Sequence, residues 1–226
     1  KALAEALTGL AKVASGRVLA AGQDITRSCA RSSYIAGIAH IPEDRKAIGI
    51  APDLSLDENL ILKNFRAPRF RKGFFQSRRA IQQNAQEKID QFAIKAGPQG
   101  SPVRLLSGGN IQKVIMAREL SSSPTVLVAS QPTRGVDIGA AEYIHRRLIN
   151  KRNVLTDAEF IQAKLIEHRN ACTAILMISE DLDEVFGLAD RIAVLYEGKI
   201  MDIVDPATAT REQVGLLMAG VEPEPS

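Results

Sequence analysis

Short apolar runs bounded by turn residues alternate with helical patterns along the chain. The clearest runs are Thr125–Ala129, Ala174–Ile178 and Ile192–Leu195, and shorter ones lie at Val18–Ala20 and Ile38–Ile41. Unbroken apolar runs of this length are typical of strands that are buried on both faces. Strands that alternate with helices predict an α/β fold with a mostly parallel sheet.

A long segment between these strands carries only helical patterns. Ser55-x-x-Glu58 is a capping box before a short helix, residues 77–95 have one apolar face, and a further helix is predicted over 110–121. We therefore predict a helical subdomain, residues 55–122, inserted into a core. That core would be formed by residues 1–54 and 123–220, with a tail at 221–226.

One segment of the chain is repeated. Residues 141–153 read AEYIHRRLINKRN and residues 158–170 read AEFIQAKLIEHRN, with seven of thirteen positions identical. Thr156-x-x-Glu159 is a second capping box, so the second copy is predicted to restart as its own helix. We interpret 154–170 as a tandem-duplicated insertion, and we expect only one copy to occupy the groove on the sheet.

Composition excludes several classes of protein. The 226 residues are 45% hydrophobic and 24% charged, which is ordinary for a soluble globular protein. Two cysteines and three histidines, without ligand spacing, predict neither a disulfide framework nor a metal site, and they indicate a reducing compartment. The net charge of the chain is +3. Six basic residues and no acidic residue lie within 65–79.

That basic segment leaves a second function class open. Residues 66–79 could meet phosphates, lipid headgroups or an acidic partner, and the alternative function is a nucleic-acid-binding module. Aromatic residues make up only 4% of the chain and tryptophan is absent, which argues against a base-stacking surface. Steeply salt-dependent DNA binding would distinguish that alternative.

The sharpest chemical feature is Leu106-Ser107-Gly108-Gly109-Asn110, which opens a predicted helix. A hydroxyl and two glycine N–H groups at a helix N-terminus suit an anionic phosphate. After this helix come a strand at 126–129 and then Gln131-Pro132-Thr133-Arg134-Gly135-Val136-Asp137. The segments His40–Arg45, Ile178–Glu184 and Asp190–Ile200 complete the pattern.

This order of parts resembles the ATP-binding cassette of ABC transporters, a P-loop NTPase-like fold with an antiparallel edge portion. It looks most like the degenerate C-terminal cassette in the fused ATPase subunits of sugar- and nucleoside-type importers. The resemblance implies that Ser107, Gly108, Gly109 and Asn110 form the signature motif. It also implies a D-loop at Asp137, a Q-loop-like residue at Glu43 and a Walker B position at 126–131.

The catalytic positions depart from the family pattern. No Gly-x-x-x-x-Gly-Lys-[Ser/Thr] loop occurs in the 226 residues, and the resemblance implies that the chain begins just after it, near Lys1. Ser130 stands in place of the Mg²⁺-orienting Asp, Gln131 in place of the water-positioning Glu, and Glu180 in place of the switch His. We expect no intact catalytic set and no metal ligand here, so the chain alone is predicted to be inactive.

The resemblance also implies cofactors, partners and location. ATP and Mg²⁺ would be bound mostly by a partner cassette, in the same full-length chain, whose ATP this signature would contact. Transmembrane permease subunits would be the other partners, and no nucleic acid is expected. The resulting prediction is an ABC-type transport ATPase subunit at the cytoplasmic face of the cell membrane.

Overall fold

The computed structural model describes residues 1–20, 22–27, 29–98, 100–135, 157–171 and 173–221. Their contacts divide the chain into two compact units, Lys1–Ile178 and Ser179–Ser226. Eight α-helices lie in the described part: α1 (Ala2–Leu7), α2 (Ala30–Ile35), α3 (Leu56–Ile61), α4 (Arg78–Gln91), α5 (Gly108–Leu120), α6 (Asp157–Asn170), α7 (Leu182–Leu188) and α8 (Arg211–Met218). Nine strands lie there as well: β1 (Leu19–Ala20), β2 (Gln23–Asp24), β3 (Ile38–Ile41), β4 (Arg71–Lys72), β5 (Phe75–Gln76), β6 (Val126–Ser130), β7 (Ala174–Ile178), β8 (Ile192–Tyr196) and β9 (Lys199–Val204).

A parallel sheet in the order β3–β6–β7 lies at the centre of the first unit. Ile38 of β3 pairs with Val126 of β6, and Val126 also pairs with Ala174 of β7. The six buried hydrophobic side chains of β3 and β6 are Ile38, Ala39, Ile41, Leu127, Val128 and Ala129. The parallel sheet predicted from the unbroken apolar runs is therefore confirmed.

Two apolar runs differ from the prediction of fully buried strands. β7 is an end strand of the described sheet, and Leu176 in it is 38% exposed. The run at 192–195 forms β8, which pairs antiparallel with β9 in the second unit rather than with the parallel sheet. Glu197 and Gly198 both have positive φ, and this tight turn returns the chain beside β8.

The segment predicted to be helical holds α3, α4 and α5, which pack together. Ser55 and Glu58 form the predicted capping box at α3. The helix predicted over 77–95 is shorter, ending at Gln91, because Ala93 adopts a positive φ that a helix cannot continue through. The middle of the basic segment is not helical, because β4 and β5 form an antiparallel hairpin around Gly73.

The second copy of the repeat forms α6. Its Ile161 and Leu165 are buried, and α6 packs against α5 and β7. Asp157 at its start forms an ion pair with Lys113 of α5, with Nζ and Oδ1 2.7 Å apart. The first copy at 141–153, and Thr156 of the second capping box, lie outside the described residues.

The second unit combines α7, the β8–β9 hairpin and α8. Its core consists of Ile192, Val194, Val204, Val214 and Leu217. The remaining described elements are a π-helix at Arg45–Gly49 and 3₁₀ turns at Pro68–Phe70 and Val103–Leu105. No helix in the described ranges is both long enough and apolar enough to span a bilayer.

Candidate nucleotide-contacting site

Ser107 forms the N-cap of α5. Its Oγ accepts hydrogen bonds from the Asn110 side chain at 2.8 Å and from the Asn110 backbone N–H at 3.4 Å. The side-chain oxygen Oδ1 of Asn110 accepts from the Lys95 backbone N–H at 2.7 Å. Both polar ends of this buried side-chain amide therefore hold the cap in place. Ser107 itself is exposed. The start of a 13-residue helix is thus presented to solvent with its positive dipole end.

Arg45 connects this helix start to the segment that follows β6. Its guanidinium donates to the carbonyl of Gly108 at 3.1 Å and to the carbonyl of Arg134 at 2.6 Å. Burial lowers the pKa of Arg45, but an arginine remains charged at neutral pH. Gly135 has a φ of +59°, and a Cβ there would lie 2.8 Å from the Arg45 guanidinium, so both the backbone conformation and the close approach favour glycine.

The carboxyl ends of β3 and β6 meet at one edge of the sheet. Ile41 pairs with Ala129, which brings Glu43 and Gln131, each two residues further on, to that edge. Glu43 is committed to an ion pair with Arg134, with Oε1 and Nη1 2.5 Å apart. Ligands of α/β folds bind at such edges, so the structure brings Glu43, Ser130 and Gln131 to the expected side of the sheet.

Ser130 is the last residue of β6 and Gln131 follows it, and each has an unusual environment or conformation. Ser130 is 5% exposed, and its Oγ is the buried side-chain atom in the described part that lacks a hydrogen-bond partner. Gln131 adopts a φ of +49°, which is rare for a residue with a side chain. Its N–H donates to the carbonyl of Ile178 at 2.7 Å, which fixes this backbone against the end of β7.

The far end of α5 is anchored by a buried carboxylate. Glu119 is 1% exposed, and Oε2 accepts from Lys63 at 2.5 Å and from the His40 backbone N–H at 3.1 Å. Arg118 donates to Oε1 at 3.0 Å and to the carbonyl of Gly49 at 2.8 Å. Burial acts to raise the pKa of Glu119, but Lys63 and Arg118 outweigh it and hold that pKa below its ordinary value. The Glu119 carboxylate therefore connects α5 to β3, and the Arg118 guanidinium connects α5 to the π-helix.

Two predicted site residues remain, Glu180 and Asp137. Glu180 is exposed in the second unit, beside Asp181, which caps α7. Asp137 lies outside the described residues. Sequence reasoning named the segments that contain Arg45, Arg118 and Glu119 but assigned these three side chains no role.

Known proteins match the chain along nearly all of its length. The family model for ABC transporters matches residues 2–134. The nucleoside import ATP-binding protein NupA of Lactococcus lactis subsp. cremoris is 38% identical over 218 residues, 96% of this chain and 40% of that protein. The guanosine import ATP-binding protein NupO of Bacillus subtilis is 36% identical over 96% of this chain and 39% of its own length.

The chain belongs to the ABC transporter family. It spans about 40% of the length of these curated relatives. The fold agrees with solved ATP-binding cassettes: the dimeric cassette MJ0796 bound to ADP and Pi superposes with a TM-score of 0.67, covering 91% of this chain and 79% of that one at 18% identity. A nucleotide-free cassette gives 0.65, covering 96% of this chain and 79% of that one at 20% identity.

Within this ABC cassette, the residues at the end of β6 do not fit a magnesium ion. Mg²⁺ prefers carboxylate, phosphate and water oxygens in an octahedron. Ser130 offers a neutral hydroxyl, Gln131 an amide, and the Glu43 carboxylate is already paired with Arg134. No group of three or more His, Cys, Asp or Glu residues in the described ranges has the arrangement of a metal site. The start of α5, by contrast, fits a phosphate.

Proposed function

We propose that this chain is the degenerate cassette of an ABC importer for nucleosides or sugars, and that it contributes its signature motif to ATP held by another cassette. One observation carries the proposal. The Ser107 N-cap at the start of α5 is exposed, whereas the end of β6 carries Ser130 and Gln131, and the nearby Glu43 carboxylate is paired with Arg134. This difference supports a cassette that supplies one half of a nucleotide site to a partner.

The roles at the signature follow from this geometry. The Ser107 hydroxyl and the N–H groups of Gly108 and Gly109 would contact the terminal phosphate, since the first N–H groups of a helix have no partner within it. Asn110 would hold Ser107 in place. Arg45 is a positioning residue, because it binds backbone carbonyls at Gly108 and Arg134 and does not reach solvent as freely as Ser107.

The partners in this proposal follow from the relatives. The names of the two relatives above describe nucleoside and guanosine import, and a ribose import ATP-binding protein of Bacillus cereus is 33% identical, which supports a nucleoside or sugar substrate class here. More than half of each relative lies outside the match, which leaves room for the second cassette in the same full-length chain. ATP and Mg²⁺ would be held mostly by that cassette, and permease subunits would place the assembly at the cytoplasmic face of the membrane.

The predicted domain division belongs to this proposal too. Residues 1–54 and 123–220 would form the core and 55–122 the signature subdomain, with 154–170 as the duplicated insertion and 221–226 as the tail. The packing of α3 against both α4 and α5 supports the signature subdomain. The relatives named above give no support to nucleic-acid binding by residues 66–79.

Measuring phosphate release tests whether this chain hydrolyses ATP. The 226-residue chain, mixed with Mg²⁺ and ATP, is expected to turn over far more slowly than about 1 s⁻¹, the lower end of ordinary enzyme rates. The double variant Ser130→Asp with Gln131→Glu is expected to remain inactive, because the sequence contains no phosphate-binding loop of the Walker type. Turnover at or above about 1 s⁻¹ by the unaltered chain would contradict the proposal.

A further inference from the structure

The β4–β5 hairpin ends in two exposed aromatic side chains. Phe74 is 100% exposed and Phe75 is 80% exposed, the highest values among the large hydrophobic side chains of the described residues. Residues 71–76 are all exposed, so the tip is open on every side. Two highly exposed phenylalanines are costly to leave in water, since fully burying one stabilises by about 1.5–3 kcal/mol.

The base of the hairpin is firmly held. Phe70 is 1% exposed and packs with Ile61 and Ile81 in a small core of its own. The Ser77 N–H donates to the carbonyl of Phe70 at 2.8 Å, and Lys72 pairs with Phe75 across the strands. A buried anchor below an exposed tip presents Phe74 and Phe75 in a defined position.

The segment that carries this tip is basic and contains no acidic residue. The six basic residues of 65–79 are all exposed, namely Arg66, Arg69, Arg71, Lys72, Arg78 and Arg79, and the segment has no Asp or Glu. Two of them stack on neighbouring rings: Arg66 lies 5.3 Å from the centre of Phe65 and Arg69 lies 4.4 Å from that of Phe70. The charge is therefore complementary to an anionic surface.

We propose that the β4–β5 hairpin binds anionic lipid, with Phe74 and Phe75 in the interfacial region and the flanking Arg and Lys side chains on headgroup phosphates. A lipid interface surrounds a small tip from all sides, whereas a protein partner would need a socket shaped around it. Paired aromatic and basic residues are the combination that favours the membrane interface. The proposal does not depend on the ATP-binding role, because it concerns a surface that needs no nucleotide.

Flotation of the 226-residue chain with vesicles tests lipid binding. Vesicles of phosphatidylcholine with about one quarter phosphatidylglycerol should carry the protein at about 0.1 M salt and release it at about 1 M salt, since exposed charges are then screened. Pure phosphatidylcholine should bind it weakly. The pair Arg71→Gln with Lys72→Gln should weaken partitioning about 25-fold, whereas the charge-matched pair Lys12→Gln with Arg31→Gln should leave it unchanged.

The aromatic contribution has its own test. Phe74→Ser with Phe75→Ser should weaken partitioning at least about 10-fold, while Leu19→Ser with Ile35→Ser, at two other exposed sites, should not. Circular dichroism checks that each variant is folded. Equal partitioning of the Phe74/Phe75 variant and the unaltered chain would overturn the proposal. So would binding confined to membranes that contain a permease, which would make the partner a protein.

A tryptophan probe locates the tip directly. The sequence has no tryptophan, so Phe74→Trp creates a single reporter. Its emission is expected to shift to shorter wavelength on anionic vesicles and to be quenched by brominated acyl chains, and Leu216→Trp on the exposed surface of the second unit should show neither change. Vesicle binding without a shift or quenching would show purely electrostatic attachment and would contradict insertion.

Discussion

Replacing Ser107 by Arg in the assembled transporter is expected to lower ATPase turnover at least about 100-fold, the usual loss when one preorganised donor to a reacting anion is removed. The substitution removes the hydroxyl at the start of α5 and places a long side chain over the N–H groups of Gly108 and Gly109. Ser107 is exposed, so the larger side chain has room and the fold should persist. Phosphate release from the reconstituted transporter is the measurement.

Ser55→Arg provides the matched control. Ser55 also caps a helix in the same segment, since its Oγ accepts from the Glu58 N–H at 3.3 Å. Both substitutions remove an N-cap and should cost about 1 kcal/mol of stability. Only the Ser107 variant should lose activity. A Ser107→Arg transporter that keeps turnover within about two-fold of the unaltered one would rule out the signature role.

Replacing Glu119 by Ala is expected to destabilise the protein by about 3–5 kcal/mol, because it leaves two cations without their buried partner. Arg118 is only 8% exposed in its side chain and Lys63 is 32% exposed, so neither is fully solvated once the carboxylate is gone. Urea unfolding followed by circular dichroism measures the change. Glu167→Ala, which removes a 59% exposed carboxylate paired with Lys164, is the control and should cost less than about 1 kcal/mol.

The effect of Glu119 should depend on pH with a definite sign. Its pKa is lowered in the folded protein, so its contribution is fully present above the pKa of an unfolded glutamate, about 4.3. It is lost as the pH falls through the lower folded pKa. The difference in unfolding free energy between the unaltered chain and Glu119→Gln should therefore shrink below about pH 4. A difference that stays constant down to pH 3 would contradict the lowered pKa of Glu119.

Much of the fold was predictable where residues that are neighbours in the sequence are sufficient to define an element. The unbroken apolar runs of β3 and β6 require two covered faces, and the Ser55–Glu58 capping box is complete within four residues. The β4–β5 hairpin escaped prediction because each strand has only two residues and none of them is buried. An alternating pattern needs more positions than that to be visible.

In the candidate site, too, some residues were predictable from the sequence and others were not. Ser107 was predictable because its hydroxyl, the two glycines and the helix lie side by side in the sequence. Arg45 was not, because its acceptors are backbone carbonyls at Gly108 and Arg134, 63 and 89 positions further along the chain. Every residue has a carbonyl, so the sequence does not mark which ones a guanidinium will bind. Only the fold brings them together.

A structure of the assembled transporter with a non-hydrolysable ATP analogue is the most direct test of the role proposed for this cassette. Ser107 Oγ is expected to lie within about 2.5–3.0 Å of a terminal phosphate oxygen of a nucleotide held by the partner cassette. Ser130 and Gln131 are expected to contact no metal ion. A nucleotide whose terminal phosphate lies beyond hydrogen-bonding distance of Ser107, with a metal ion at Ser130 instead, would contradict the account.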